Sequence, residues 1–207
     1  MVAMAEPETP RKKRNWYLTA FGVLWGFWFG YAGFSAFRQH GNSEPQSAAE
    51  AEQQSKVWAR ASFLQQELSE IRSRPNPTVD DYIKNTRESE PLISEAKALV
   101  PFQRASVMRA KQLHPDNKVD AVTTDYLLRV VDKGEQMLYL EGNEVDCANA
   151  LQFVPAAHRA AYYQDKVPPL KEQERQVVKE LYAIVMEGKA KGVPWPDSMV
   201  KSLKALQ

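Results

Sequence analysis

Residues 16–37 read WYLTAFGVLWGFWFGYAGFSAF and carry no charged side chain. A helix of this length extends about 33 Å at ~1.5 Å per residue, which matches the ~30 Å hydrocarbon core of a bilayer. Trp16 and Tyr17 open the run, and such rings are enriched at membrane–water interfaces. A buried core helix is the alternative, but core helices seldom run this long without a charge. The sequence therefore predicts a single N-terminal transmembrane helix over 16–37.

Positive charge lies on one side of this segment. Residues 11–14 read RKKR, whereas the twenty residues from 38 onward contain only Arg38 and Lys56 as cations. Because cytoplasmic flanks carry the excess of Lys and Arg, we expect residues 1–15 to form a cytoplasmic basic head. The rest of the chain would then lie on the other side of the membrane.

The apolar run is also longer than the ~7–15 residues of a cleaved signal peptide, which favours an uncleaved signal anchor. No N-x-S/T glycosylation site occurs in the sequence. Together with the short basic head, this favours a bacterial inner-membrane protein with its C-terminal domain in the periplasm.

Glycines repeat along one face of the transmembrane segment. Gly22, Gly26 and Gly30 recur at every fourth residue, and Gly33 continues the same face. Overlapping G-x-x-x-G units allow a second helix to approach closely and gain van der Waals contact in lipid. We expect this face to bind a protein partner or a second copy of the chain. The alternative is that these glycines have no role in helix packing, since glycine is common in membrane helices.

Composition restricts the classes of function. The chain has 27 Lys+Arg against 26 Asp+Glu, so it lacks the basic excess of a nucleic-acid binder. It has one cysteine and three scattered histidines, which predict neither a disulfide nor a metal site. No G-x-S-x-G elbow and no glycine-rich phosphate loop occurs, so we expect no cofactor and no enzymatic activity. An all-α periplasmic hydrolase is the enzymatic alternative, with His158 as a general base.

A polar linker over 38–48 precedes a domain over 49–207, whose apolar residues recur at helical spacing. We expect an all-α fold of several helices. In the first of them, over 49–74, Val57, Leu64 and Leu68 belong to a short heptad stripe. This stripe fits equally well an oligomerising stalk that contacts a partner and a helix that packs on its own domain.

Helix-start and helix-breaking residues divide the remainder. Thr78 and Asp81 resemble a capping box. Proline and glycine predict that helices begin at Pro91 and Pro155, and the predicted ends or breaks are Pro101, Gly142, Pro168, Pro169 and Gly188.

One tripeptide, His114-Pro115-Asp116 within AKQLHPDNK, resembles the loop between the second and third helices of J-domains. The following segment, TDYLLRVVDKGEQMLYL, is similar to a third helix. In that family the tripeptide stimulates the ATPase of a DnaK-type chaperone, so the resemblance implies a membrane-tethered co-chaperone. The same residues also suffice as a helix start.

Trp195, between Pro194 and Pro196, is a candidate partner contact, because tryptophan on a stiff loop loses little entropy on docking. Packing on its own core is the alternative. The sequence as a whole favours a membrane-anchored, non-enzymatic helical interaction protein. It would act as a scaffold, an accessory or assembly subunit, or an inhibitor in a bacterial envelope complex.

Overall fold

The computed structural model describes residues 48–76, 78–113, 118–195 and 197–205. These residues form helices and no strand: α1 (Ala48–Ser73), α2 (Val79–Leu113), α3 (Lys118–Leu151), α4 (Ala156–Ala190) and α5 (Asp197–Ala205). The prediction of an all-α fold is confirmed for this part of the chain. None of these helices is both long enough and apolar enough to cross a bilayer. The basic head, segment 16–37 with its glycine face, and the His114-Pro115-Asp116 motif lie outside the described residues.

The helices pack in chain order: α1 on α2, α2 on α3, α3 on α4, and α5 back on α4. Two ion pairs show that α3 and α4 are antiparallel. Arg129 bonds Glu187 while Lys133, one turn later on α3, bonds Glu180, which lies earlier on α4. Because α2 and α4 touch only slightly, α3 lies between them.

The prolines do not divide the chain as predicted. Pro91 and Pro101 lie inside the 35-residue helix α2, and Pro168 and Pro169 lie inside the 35-residue helix α4. A proline within a helix removes one backbone hydrogen bond and costs about 3 kcal/mol. All four rings are exposed, so the unpaired carbonyls are on the solvent side while the opposite face stays packed. The burial of one continuous apolar face outweighs this local cost.

Among the other helix boundaries predicted from the sequence, some are confirmed and one is wrong. The capping box is confirmed, because the Asp81 N–H donates to Thr78 Oγ1 over 3.1 Å and the Thr78 N–H donates to Asp81 Oδ2 over 3.2 Å. Pro155 does precede a helix. The end predicted at Gly142 is wrong, since α3 continues to Leu151.

Helix α4 ends with a Schellman motif. The Val193 N–H donates to the Gly188 carbonyl over 2.9 Å, and the Gly192 N–H donates to the Lys189 carbonyl over 3.1 Å. Gly192 has φ 87°, a left-handed value that suits glycine. The helix therefore ends a few residues beyond Gly188, the predicted position.

Two leucines of the α1 heptad stripe lie in the core. Leu64 and Leu68 have no exposed surface. Leu64 belongs to the largest apolar cluster, with residues of α2, α3, α4 and α5, and Leu68 packs with Ile93 and Val145. In this fold α1 packs on its own domain, so these two leucines are core residues and offer no surface to a partner. Val57 is half-buried.

Trp195 is also a core residue. It is 7% exposed and belongs to the largest apolar cluster. A Cβ atom built on Gly188 would lie 2.6 Å from Trp195 Nε1, so the indole rests directly on the backbone of α4. Of its two predicted roles, the structure shows packing on the domain's own core.

Candidate functional site

Five charged side chains meet between α1, α3 and α4, and we call this group the polar junction. Its members are Arg72 of α1, Glu141 and Glu144 of α3, and Lys171 and Glu174 of α4. They occupy positions that continue the buried stripes of their helices, which is why all three carboxylates are buried.

Two ion-paired cations hold the polar junction together. Arg72 Nη1 lies 2.5 Å from Glu141 Oε1. The Lys171 ammonium lies against the Glu144 carboxylate and 3.0 Å from Glu174 Oε2. Because these pairs tie the last turn of α1 to α3, and α3 to α4, they fix the helices at one end of the domain.

Burial raises the pKa of an acidic side chain and lowers the pKa of a basic one. It raises the pKa of Glu144 to about 7, and nearby Glu174 adds to this effect although Lys171 opposes it. Burial alone would lower the pKa of Lys171, but Glu144 and Glu174 outweigh it and the pKa is raised. The pKa of Arg72 is raised in the same way, because Glu141 outweighs burial.

A cavity of about 60 Å³ adjoins the polar junction. Its lining includes Arg72, Glu141, Glu144 and Lys171, together with Tyr82 and Asn85 of α2. Three buried atoms of lining residues make no hydrogen bond to the described residues: Tyr82 Oη, Glu141 Oε2 and Glu144 Oε1, the last of which is ion-paired with Lys171. The volume is large enough for a few water molecules, which need about 10–15 Å³ each. It is well below the ~300 Å³ of a typical organic ligand site.

The turn between α3 and α4, residues 152–155, is the second notable feature. The Arg159 guanidinium bonds the Val154 carbonyl over 3.0 Å, the Gln152 carbonyl over 3.3 Å and Asp80 Oδ1 of α2 over 2.8 Å. Phe153 in this turn is 88% exposed, the most exposed large apolar side chain of the described residues. A guanidinium that is fixed at three points holds the turn that presents this ring.

Neither His158, the candidate general base, nor Cys147 lines the cavity at the polar junction. His158 is exposed on the first turn of α4. Cys147 is a free, half-buried thiol, and burial raises its pKa, with Glu144 and Asp146 adding to the rise. A raised pKa keeps the sulfur protonated, which is unfavourable for a nucleophile. Within the described ranges, no group of His, Cys, Asp and Glu side chains could hold a metal ion.

Sequence reasoning did not predict the polar junction. The sequence does contain a pattern that indicates this site, because Glu141 and Glu144 interrupt the apolar stripe between Leu138 and Val145. Lys171 and Glu174 do the same on α4. Charged residues at inward positions that match on neighbouring helices would have identified the site.

Comparison of the chain with protein-family models, with curated proteins and with solved structures gives no match.

Proposed function

We propose that this chain is a membrane-anchored helical interaction protein that binds a protein partner through the end of the domain farthest from its anchor. The anchor is the apolar segment 16–37. The observation that carries the proposal is Phe153, 88% exposed on a turn that Arg159 holds in place.

The position of this turn follows from the course of α1. Helix α1 has 26 residues and rises about 39 Å at ~1.5 Å per residue between its start at Ala48 and its end at Ser73. Helix α2 begins beside that end, and its Asp80 bonds Arg159 next to the α3–α4 turn. The turn therefore lies near the end of α1 opposite the one that follows the anchor.

The surface around Phe153 suits a protein partner. Pro155 and four alanines of the first turns of α4 are exposed beside it: Ala156, Ala157, Ala160 and Ala161. Small side chains let a partner's backbone approach closely, and an exposed aromatic ring fills an apolar pocket. Because the turn is already fixed, docking would order few additional groups. The partner's chemistry is then an apolar pocket about the size of one phenyl ring.

Site-specific photocrosslinking tests this proposal. A photoreactive phenylalanine analogue replaces Phe153 in the full-length chain, in cells, and a matched chain carries it at Tyr139, which is 63% exposed in the middle of α3. We expect a discrete adduct from position 153 and none from position 139. An adduct of twice 23.5 kDa would identify a second copy of the chain as the partner. The absence of any adduct at 153, or equal adducts at both positions, contradicts the proposal.

The co-chaperone alternative rests on the resemblance of His114-Pro115-Asp116 to the tripeptide of J-domains. It requires the domain to face a cytoplasmic, ATP-dependent chaperone. Under that alternative His114→Gln abolishes function, whereas under our proposal it has little effect.

A further inference from the structure

The polar junction contains more buried carboxylates than cations. Arg72 and Lys171 face Glu141, Glu144 and Glu174. The other side chains that line the adjoining cavity within the described residues are apolar or uncharged. Full ionisation would therefore leave one excess negative charge inside the domain.

A buried excess charge is costly unless it is paired and hydrogen-bonded. Here one oxygen of Glu141 already lacks a donor. We propose that the polar junction retains one proton, centred on Glu144, and that release of this proton loosens the last turn of α1 from α3 and α4. The device is independent of which partner the domain binds.

Glu144 is suited to hold the proton because of what surrounds it. The titratable and charged groups around it come from all four long helices: Arg72 of α1, Tyr82 of α2, Glu141 and Cys147 of α3, and Lys171 and Glu174 of α4. Burial and Glu174 favour the protonated acid, while Lys171 and Arg72 favour the carboxylate. The balance leaves the proton bound until the pH approaches about 7.

Helix α1 is the element that release would affect most. Arg72 lies in its last turn, and its ion pair with Glu141 is part of the polar junction. Once Glu144 is ionised, two cations must serve three carboxylates, and the unneutralised charge draws water in through the cavity. The apolar contacts of Leu68 and Ile71 and the ion pair between Arg74 and Glu88 of α2 are then left to attach this end of α1.

Urea unfolding of the full-length chain in detergent, followed by circular dichroism, tests the proposal. Glu144 has a raised pKa in the folded state, so its stabilising effect is complete below the ordinary pKa of 4.5 and is lost as the pH rises through about 7. We expect the unfolding constant to rise by up to about tenfold per pH unit across this window. Glu144→Gln should remove most of this dependence. Asp146→Asn, which changes an exposed carboxylate on the same helix, should retain it.

Hydrogen exchange of the unaltered protein supplies a second measurement that needs no variant. We expect peptides that cover the end of α1 to lose protection between about pH 5 and about pH 7.5, relative to peptides from the second half of α4, after correction for intrinsic rates. Equal protection changes in both regions would refute the proposal. A pH dependence that is identical in the unaltered chain and in Glu144→Gln would refute it as well.

Discussion

Replacing Gly188 by alanine tests the packing of α5 and the loop before it on α4. The added Cβ atom would lie 2.6 Å from Trp195 Nε1, 2.9 Å from Cζ2 and 3.0 Å from Cε2. Ordinary contact between such atoms begins at about 3.5 Å, so the indole must move by roughly 1 Å. Trp195 is 7% exposed within the main apolar cluster, so it has little room to move.

The expected cost is that of overpacking a core, about 1–3 kcal/mol. Alanine recovers up to ~1 kcal/mol of helix propensity, but Gly188 is only two residues from the last residue of α4, where the gain is smaller. We therefore expect Gly188→Ala to lower the free energy of unfolding by about 1–2 kcal/mol. Urea unfolding of the full-length chain in detergent measures this change.

Gly142 supplies a matched control, since it is also a helical glycine. A Cβ atom there would meet the Nζ of Lys97, the mobile end of an exposed side chain that can turn away. Gly142→Ala should therefore stabilise the protein by about 0.5–1 kcal/mol through helix propensity. If both substitutions change stability in the same direction, the proposed contact between Trp195 and the α4 backbone does not control the packing.

Four further predictions concern the topology, the anchor, the core and the end of α4. A C-terminal alkaline phosphatase fusion should be active in bacteria, and activity of a cytoplasmic reporter alone at that end would reverse the expected topology. Gly26→Ile should weaken association in detergent without preventing insertion, as judged by complex size, because isoleucine is apolar but separates the helices. Leu64→Ala should destabilise the fold by about 2–5 kcal/mol in urea, whereas a stalk residue would change oligomeric state instead. Gly192→Ala should cost about 1–2 kcal/mol, since alanine disfavours the positive φ at the end of α4.

The elements that sequence predicted correctly depend on short-range patterns. The bounds of α1 and the Thr78–Asp81 capping box follow from apolar spacing and from hydrogen bonds within one helical turn. The helix start predicted at Pro91 is wrong, and so are the ends or breaks predicted at Pro101, Pro168 and Pro169. These predictions assumed that the local cost of a proline decides where a helix begins or ends. The exposure of the four rings shows that each proline lies on the solvent face, where the lost hydrogen bond does not interrupt the packed face.

The heptad stripe of α1 shows a different limit of prediction from sequence. A period of three and four residues indicates that one face is covered, but it does not indicate whether the cover comes from the same chain. In the structure Leu64 belongs to the main apolar cluster of the domain, and Arg60 bonds Glu95 of α2 over 2.6 Å. Sequence alone could not pair these positions, since they lie on separate elements whose register depends on the whole bundle.

Gly188 and Gly192 show how two identical residues four positions apart acquire different roles. Gly192 ends α4 because glycine readily adopts the positive φ found there. Gly188 lies inside the helix, and a glycine is needed at this position because the indole of Trp195 occupies the space of a Cβ atom. This contact makes Trp195 part of the core. Phe153 differs from Trp195 in the exposure of its ring. Arg159 holds the turn that carries Phe153, but the ring itself is exposed. Of the two aromatic residues on short connections, Phe153 alone combines a fixed backbone with a free ring, and it is therefore the residue on which the proposed interaction depends.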